Sequence, residues 1–213
     1  MIKRIYHGSE NRIEKPIYGY GKKYNDYGVG FYCTETLEMA KEWGVGADRS
    51  GYADVYDFDM DGLTVLNLND PAYCILHWLS VLLQNREFEL SSVLALEAKE
   101  YLVAHFSPDY LSVDVITGYR ADDSYFSFAQ DFLNGTISYR QLSAAMRLGK
   151  LGQQIVLKSE KAFSQLTFAD AEIAKADEWF ARKQFRDRNA RNEYFNARTN
   201  KRQRGDLYIT QIL

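Results

Sequence analysis

The sequence contains few of the side chains on which disulfide-rich and metal-stabilised folds depend. Only two cysteines and three histidines occur among its 213 residues. Two thiols cannot form a disulfide framework, and no metal-ligand spacing surrounds Cys33 or Cys74. We therefore predict no disulfide framework and no metal site, and a fold that is held together by its hydrophobic core.

Long apolar runs are absent as well. No stretch of about 18 apolar residues occurs, and a run of that length is what predicts a transmembrane helix. The first residues, MIKRIYHGS, show no apolar signal region. Apolar residues nonetheless make up 46% of the chain, which is enough for a sizeable core and too many for wholesale disorder. We expect a soluble cytoplasmic protein with no membrane partner.

Charge of one sign is not in large excess, but it is unevenly distributed. A net charge of -3 argues against a protein that coats nucleic acid along its whole length. Residues 173–204 contain ten basic residues (Lys or Arg) and four acidic ones (Asp or Glu). Residues 1–172 contain sixteen basic and twenty-four acidic residues. The chain therefore combines an acidic body with a basic C-terminal extension.

Two interpretations of the extension remain open. It could dock electrostatically against the acidic body, or it could contact nucleic acid, since aromatic residues are interspersed among its basic ones. These aromatic residues are Trp179, Phe180, Phe185, Tyr194 and Phe195. We favour an apolar docking face over a base-stacking platform.

Short strand-like segments alternate irregularly with helix-like ones. The strand-like segments are residues 2–7, 31–33, 53–58, 63–68, 111–116 and 155–158. The helix-like segments are residues 36–43, 73–85, 92–104, 126–133 and 138–148, and the pattern turns helical again after residue 168. Because regular strand–helix–strand units are missing, we predict an α+β fold rather than a doubly wound sheet. We divide the chain into a body, residues 1–168, and a basic helical extension, residues 169–213.

Two stretches imitate ligand-binding loops. DFDMDG at residues 57–62 resembles the start of a calcium loop, but the twelfth position is Leu68 where a bidentate Glu is needed. We interpret it as the turn of a hairpin between strands 53–58 and 63–68. GVG at residues 28–30 lacks the third glycine of a dinucleotide-binding fingerprint. Neither stretch predicts a phosphate or metal site.

The candidate site is carried by two short blocks. HGS at residues 7–9 closes the first strand, where the glycine leaves an imidazole nitrogen and backbone polar groups available to a ligand. GVGFYCT at residues 28–34 contains Tyr32 and leads into a helix that carries Trp43, and these two aromatic side chains could enclose a planar ring. The alternatives are an ordinary strand-to-loop junction and two aromatic residues of the core.

Together these blocks resemble the ADP-ribosyltransferase superfamily, in the branch that includes diphtheria toxin and the poly-ADP-ribose polymerases. That branch has an early strand with His-Gly-Ser/Thr and a later Gly-x-Gly strand with a tyrosine, followed by a helix bearing a second aromatic. HGS at residues 7–9, GVGFYCT at residues 28–34 and Trp43 match this pattern in order and spacing. The resemblance is closest to a poorly characterised bacterial family within the superfamily, and it covers residues 1 to about 168.

The resemblance implies a split β-sandwich core, with inserted helices, that binds NAD as a substrate. By this analogy the backbone of Gly8 would hold the nicotinamide amide, and His7 would hydrogen-bond the ribose. Tyr32 and Trp43 would stack on the nicotinamide ring, and Ser9 completes the expected NAD-binding set.

The third position of the superfamily is commonly a glutamate on a late strand, and this chain has glutamine there. Alternation along QQIVL places Gln153 with Ile155 on the likelier core face and Gln154 on the other face. We therefore assign Gln154 to the catalytic set, with His7 and Tyr32. A neutral amide can hydrogen-bond the ribose but carries no charge, and losing such an electrostatic contact can cost about 10²- to 10³-fold in rate. This favours mono-ADP-ribosyl transfer or slow chemistry over polymer synthesis.

Four further residues are second-tier candidates for activating an acceptor or binding phosphate. They are Arg86, Asp122, Asp123 and Gln153. Arg86 could equally be a surface cation at a helix end, and either aspartate could cap a helix.

The predicted function is NAD-dependent mono-ADP-ribosyl transfer to an unknown protein or nucleic-acid acceptor. By family analogy the protein would be a toxin or defence effector with an antitoxin or regulatory partner. The alternatives are a catalytically inactive module that binds NAD or a partner, and nucleic-acid binding through the basic extension.

Overall fold

The computed structural model of the chain describes residues 1–121, 123–146, 153–199 and 203–213, and it describes the side chains of all of these except residues 123–125 and 197. In chain order the elements are β1 (Ile2–Ser9), β2 (Phe31–Cys33), α1 (Leu37–Gly44), β3 (Gly51–Asp59), β4 (Val65–Asn67), α2 (Ile75–Asn85), α3 (Val93–Phe106), β5 (Val115–Tyr119), α4 (Asp123–Leu133), α5 (Tyr139–Ala145), β6 (Gln153–Leu157), α6 (Glu160–Ser164), β7 (Leu166–Ala174) and α7 (Ala176–Thr199). A 3₁₀ turn at Ile209–Gln211 follows.

The strands form two sheets. The first sheet has the order β1-β3-β7, and both of its pairings are antiparallel. The second sheet has the order β2-β6-β5-β4, in which β4 and β5 run parallel and the other pairs antiparallel. The presence of both helices and strands confirms the predicted mixed α+β class. Among the described residues, no helix is both long enough and apolar enough to cross a membrane.

A backbone bridge between β1 and the residue after β2 joins the two sheets. The amide of Tyr6 donates to the carbonyl of Thr34, and the amide of Thr34 donates to the carbonyl of Tyr6, both at 2.8 Å. Side chains from both sheets pack together next to this bridge and form the first core. The first core includes Ile5, Phe31, Cys33, Tyr56, Phe58, Val115, Ile155 and Leu157.

Helices α2, α3, α4 and α5 cover the other face of the second sheet and build most of the second core. Its centre is Trp78 of α2, which is 1% exposed and belongs to the same buried cluster as side chains of α3, α4 and α5. On β6, Val156 faces the second core, whereas Ile155 and Leu157 face the first, as the two-residue period of a strand requires. The second sheet is therefore buried on both faces, and the apolar run of β6 reflects this.

The pairing of three strands differs from what the sequence predicted. The predicted hairpin over residues 53–68 is wrong, because β3 and β4 lie in different sheets and β4 pairs with β5. The helix predicted directly after residue 168 is also wrong, since β7 continues to Ala174 along β3. The edge of β3 offers a ladder of backbone hydrogen bonds, and this pairing outweighs the local preference of a segment such as ADAEIA. The strand predicted over residues 111–116 begins later, at Val115.

The basic extension packs on the body through apolar and charged contacts of α7. Tyr194 is buried in the second core, where its ring stacks on Phe128 at 3.6 Å and its hydroxyl donates to Asp131 at 2.5 Å. Closer to the start of α7, Arg186 forms an ion pair of 2.6 Å with Glu42 on α1. Aromatic stacking therefore contributes to the docking of the extension alongside charge.

Replacing Tyr194 by alanine should destabilise the protein, because the change removes a ring from the second core. We expect the free energy of unfolding to fall by about 2–4 kcal/mol, near the range for truncating a buried aromatic side chain. Phe195→Ala is the matched control, since Phe195 is 67% exposed, and should change stability by no more than about 0.5 kcal/mol. Urea unfolding measures both, and equal effects would contradict the docked position of α7.

Candidate functional site

A cavity of about 800 Å³ lies beside the junction of the two sheets and is called the central cavity below. Its wall includes every residue that the resemblance assigns to NAD binding or catalysis. These residues are His7, Gly8, Ser9, Tyr32, Trp43 and Gln154. Small-molecule sites typically enclose about 300–1,000 Å³. Side chains from β1, β2, α1 and β6 thus converge on one ligand-sized space.

The second-tier candidates divide between the cavity and other places. Arg86, directly after α2, lines the central cavity. Gln153 is exposed at the first position of β6 and does not line the cavity wall. Asp122 lies outside the described residues, and the side chain of Asp123 does so too.

The imidazole of His7 is held in one tautomer. Its Nδ1 donates a hydrogen bond of 2.7 Å to the carbonyl oxygen of Tyr32, which can only accept. The ring also stacks on Phe31, with centroids 4.3 Å apart. Burial lowers the pKa of His7, so the ring is neutral at pH 7. Nε2 of His7 is therefore left as a hydrogen-bond acceptor.

Gly8 allows β1 to lie directly against α1. A Cβ atom added at Gly8 would lie 1.9 Å from the carbonyl oxygen of Ala40 and 2.7 Å from Cβ of Trp43. Any side chain at this position would push α1 and its tryptophan away from β1. The guanidinium of Arg120 lies 4.6 Å from the centre of the Trp43 ring. A planar ligand stacking on that face of Trp43 must displace Arg120.

Tyr32 and Lys158 fix the turn before β2. The Tyr32 hydroxyl donates to the Gly28 carbonyl at 2.6 Å and accepts from the Tyr27 amide at 3.0 Å. Nζ of Lys158 donates to the carbonyls of Tyr27 and, at 2.8 Å, of Val29. Gly28 has a φ of +72°, a conformation that favours glycine. Burial raises the pKa of Tyr32, so its hydroxyl stays neutral and serves to hold the turn.

Asp26 places a carboxylate next to Gln154. It is 4% exposed and lines the central cavity. Its Oδ2 accepts hydrogen bonds from the Ala121 amide at 2.8 Å and from Nε2 of Gln154 at 3.4 Å, and Nε of Arg86 lies 3.8 Å from Oδ1. Within the part of the chain that the structure describes, neither Oδ1 of Asp26 nor Oε1 of Gln154 has a hydrogen-bond partner.

Burial and the cationic neighbours of Asp26 have opposite effects on its pKa. Burial raises the pKa of Asp26 to about 6, although the Ala121 amide, Arg86 and Arg120 act to lower it. Sequence reasoning missed this residue, because its contact with Gln154 spans 128 positions and leaves no local pattern. Its place two residues before the glycine-containing block at residues 28–34 was the one available signal.

Positive charge dominates the cavity wall. The cations that line it, among the described residues, are Lys15, Lys22, Arg86, Arg120, Lys183, Arg186 and Arg191. The acidic residues in the same wall are Asp26 and Asp187. Three of the cations belong to α7, so the basic extension forms part of the cavity, which the sequence did not predict. This balance suits a ligand with an anionic part.

Replacing Asp26 by asparagine should stabilise the protein at high pH. The folded-state pKa of about 6 exceeds the ordinary value of 3.8, so the native state binds the proton more tightly and stability falls as pH rises from about 4 to 6. Asparagine removes this penalty, which is at most about 3 kcal/mol for a shift of roughly two units. Melting temperatures at pH 4 and pH 8 should show a gain for Asp26→Asn at pH 8 alone.

The exposed Asp48 provides the control for this experiment. Asp48→Asn should change the melting temperature little at either pH. A lower melting temperature of Asp26→Asn at pH 8 would mean that the attraction of Arg86 and Arg120 exceeds the cost of burial.

Comparison with known proteins identifies a family for most of the chain. No match was found among curated proteins or among solved structures. A family model described as "Protein of unknown function (DUF3990)" matches residues 3–168 and ends within β7, before α7. This agrees with the expected place in a poorly characterised family, whereas the resemblance to ADP-ribosyltransferases stays a prediction. Because the match covers more than half of the sequence, the chain belongs to the DUF3990 family.

Proposed function

We propose that the protein is an NAD-dependent mono-ADP-ribosyltransferase. The observation that carries this proposal is that the residues matching the superfamily pattern line one cavity, although they are far apart in the sequence. We further propose that residues 1–168 form a split β-sandwich of the ADP-ribosyltransferase kind. Two sheets that share the first core and are joined at the Tyr6–Thr34 bridge support this fold.

The central cavity offers different surroundings to the charged and planar parts of NAD. The cations of α7, with Lys15 and Lys22, would attract the diphosphate. Neutral His7 keeps Nε2 as an acceptor for a ribose hydroxyl, because its Nδ1 already donates to Tyr32. The Tyr32 hydroxyl is hydrogen-bonded to the turn before β2. The Tyr32 ring, which would stack on nicotinamide, is therefore positioned before a ligand arrives. Such preorganisation favours cleavage of the nicotinamide–ribose bond.

The rate expected for ADP-ribosyl transfer depends on the uncharged side chain of Gln154. During transfer, positive charge develops on the ribose carbon as nicotinamide leaves, and a nearby negative charge would stabilise it. The amide of Gln154 can orient the ribose by hydrogen bonding but cannot supply that charge. We therefore propose slow transfer of single ADP-ribose units rather than polymer synthesis.

A second candidate function is binding of NAD, or of a partner, without catalysis. Two observations favour it: the neutral Gln154, and Arg120 lying over the ring of Trp43 where nicotinamide is expected to stack. The two candidates differ in whether nicotinamide is released. The acceptor of ADP-ribose, the role as a toxin or defence effector and the antitoxin partner rest on the resemblance alone.

The outer face of α7 is where nucleic acid would bind, as an acceptor or as a ligand. Phe185 is 61% exposed there, and Arg188 is exposed as well. Deleting the extension would disturb the second core through the loss of Tyr194, so Arg188→Gln in the full chain is the cleaner test. Nucleic-acid binding through this face should fall steeply with salt and should weaken in Arg188→Gln.

The proposed activity is tested with NAD labelled in its adenylate half. Purified protein is incubated with labelled NAD and either cell lysate or nucleic acid, and released nicotinamide and transferred label are measured. Wild type should release nicotinamide, and His7→Ala and Tyr32→Ala should reduce release by about tenfold or more, since each removes an orienting contact. His105→Ala is the matched control, because His105 is an exposed histidine at the end of α3 outside the cavity wall.

The outcomes separate the candidates. If NAD raises the melting temperature but no nicotinamide is released, the non-catalytic binding function replaces the transferase. If NAD has no effect on either quantity, the proposed function is wrong.

A further inference from the structure

The neutral Gln154 leaves the central cavity without the charge that the proposed reaction needs at that position, and a carboxylate lies beside it. Asp26 reaches this place from the loop before β2, and its Oδ2 is 3.4 Å from Nε2 of Gln154. Both side chains line the central cavity and both are buried, at 4% and 5% exposure. Each also has a buried oxygen without a hydrogen-bond partner among the described residues, so neither side chain has used its full capacity to accept hydrogen bonds.

We propose that Asp26 is the catalytic carboxylate of this site, supplying the negative charge while Gln154 orients the ribose. This inference rests on the proposed function and adds to it a residue that the resemblance does not assign. The superfamily glutamate combines charge and orientation in one side chain. Here the two tasks are divided between a loop residue and a strand residue that touch.

The reaction balances with Asp26 in this role. The bond between the ribose C1′ and the nicotinamide nitrogen breaks, and its electron pair neutralises the positive charge of the nicotinamide ring. The carboxylate of Asp26 stabilises the positive charge that develops at C1′. A lone pair of the acceptor's oxygen or nitrogen forms the new bond to C1′, and the acceptor's proton passes to Asp26 and then to solvent.

The groups around Asp26 keep its carboxylate ionised despite burial. Arg86 faces it from the end of α2 and Arg120 from the end of β5, while Tyr27 and Tyr32 lie beside it as neutral hydroxyls. With a pKa of about 6, the group is negatively charged at neutral pH and can still accept a proton. The rate of nicotinamide release should therefore rise with pH through about 6.

Asp54 provides a matched control. It is also a buried aspartate, with a pKa that burial raises to about 6 and with an Oδ1 that lacks a partner among the described residues. Asp54 accepts a hydrogen bond from the Ile13 amide at 3.0 Å but does not line the central cavity. Asparagine at either position removes the charge and keeps an oxygen that can accept from the same amide.

The experiment compares wild type, Asp26→Asn, Asp54→Asn and the double variant that combines Asp26→Asn with Gln154→Glu. Nicotinamide release is measured from pH 5 to pH 8, at saturating NAD for the maximal rate and at low NAD for kcat/KM, whose pH dependence reports the pKa of the ligand-free enzyme. NAD affinity is measured by calorimetry. We expect Asp26→Asn to lower the maximal rate by about 10²- to 10³-fold, to lose the pH dependence near 6 and to bind NAD within a few-fold of wild type. Asp54→Asn should stay within about threefold of wild type. The double variant should regain roughly tenfold or more, because Gln154→Glu restores a carboxylate to the same place.

Three outcomes would overturn the assignment. If Asp26→Asn folds, as its melting curve would show, and retains a rate close to that of wild type, Asp26 is not the catalytic carboxylate. An equal loss in Asp54→Asn, without rescue in the double variant, would assign the effect to general loss of buried charge. Wild-type protein that binds NAD but releases no nicotinamide would overturn both the activity and the role of Asp26, whereas release by wild type and Asp26→Asn alike overturns the role alone.

Discussion

The pair of backbone hydrogen bonds between Tyr6 and Thr34 is the constraint on which the candidate site depends, because it joins the two sheets. His7 directly follows Tyr6, and Tyr32 lies two positions before Thr34. The same register therefore brings the imidazole of His7 to the carbonyl of Tyr32 at 2.7 Å. A slip of one residue in β1 would turn His7 to the opposite face of the strand. The register at the Tyr6–Thr34 bridge therefore determines where the cavity lies.

Burial and charge act against each other at this junction. The turn before β2 is fixed by the Tyr32 hydroxyl and by Nζ of Lys158. Asp26 directly precedes this turn, and its side chain is buried. Burial raises the pKa of Asp26, and Arg86 and Arg120 offset part of that effect. A carboxylate whose pKa is shifted by burial and by specific charged neighbours, inside a cavity, is a feature commonly found at functional sites. The fixed turn therefore holds in place a charge that burial alone would disfavour.

Local patterns predicted part of this arrangement and long-range pairing decided the rest. The short blocks at residues 7–9 and 28–34 contain their own glycine signals. Strand alternation separated Gln154, which lines the cavity, from Gln153, which does not, although the face of Gln154 is buried as well and Gln153 is exposed. The partner of β7 could not be predicted, because the strand forms through the edge of β3 and against its local preference. Asp26 was missed for the same reason, since its partner lies 128 positions away. Contacts of this kind form between residues that are distant in the sequence, so no local sequence pattern indicates them.

The cavity also depends on a segment that the family match does not include. The match ends at residue 168, yet Lys183, Arg186 and Arg191 of α7 line the same space as His7 and Gln154. The anchors of α7, Tyr194 in the second core and Arg186 on Glu42, fix those cations against the body. A chain with the same body and a different C-terminal segment would keep the residues around His7 but lose three positive charges from the wall. The planar and the anionic halves of a ligand would therefore be recognised by two parts of the chain, of which the family match covers one.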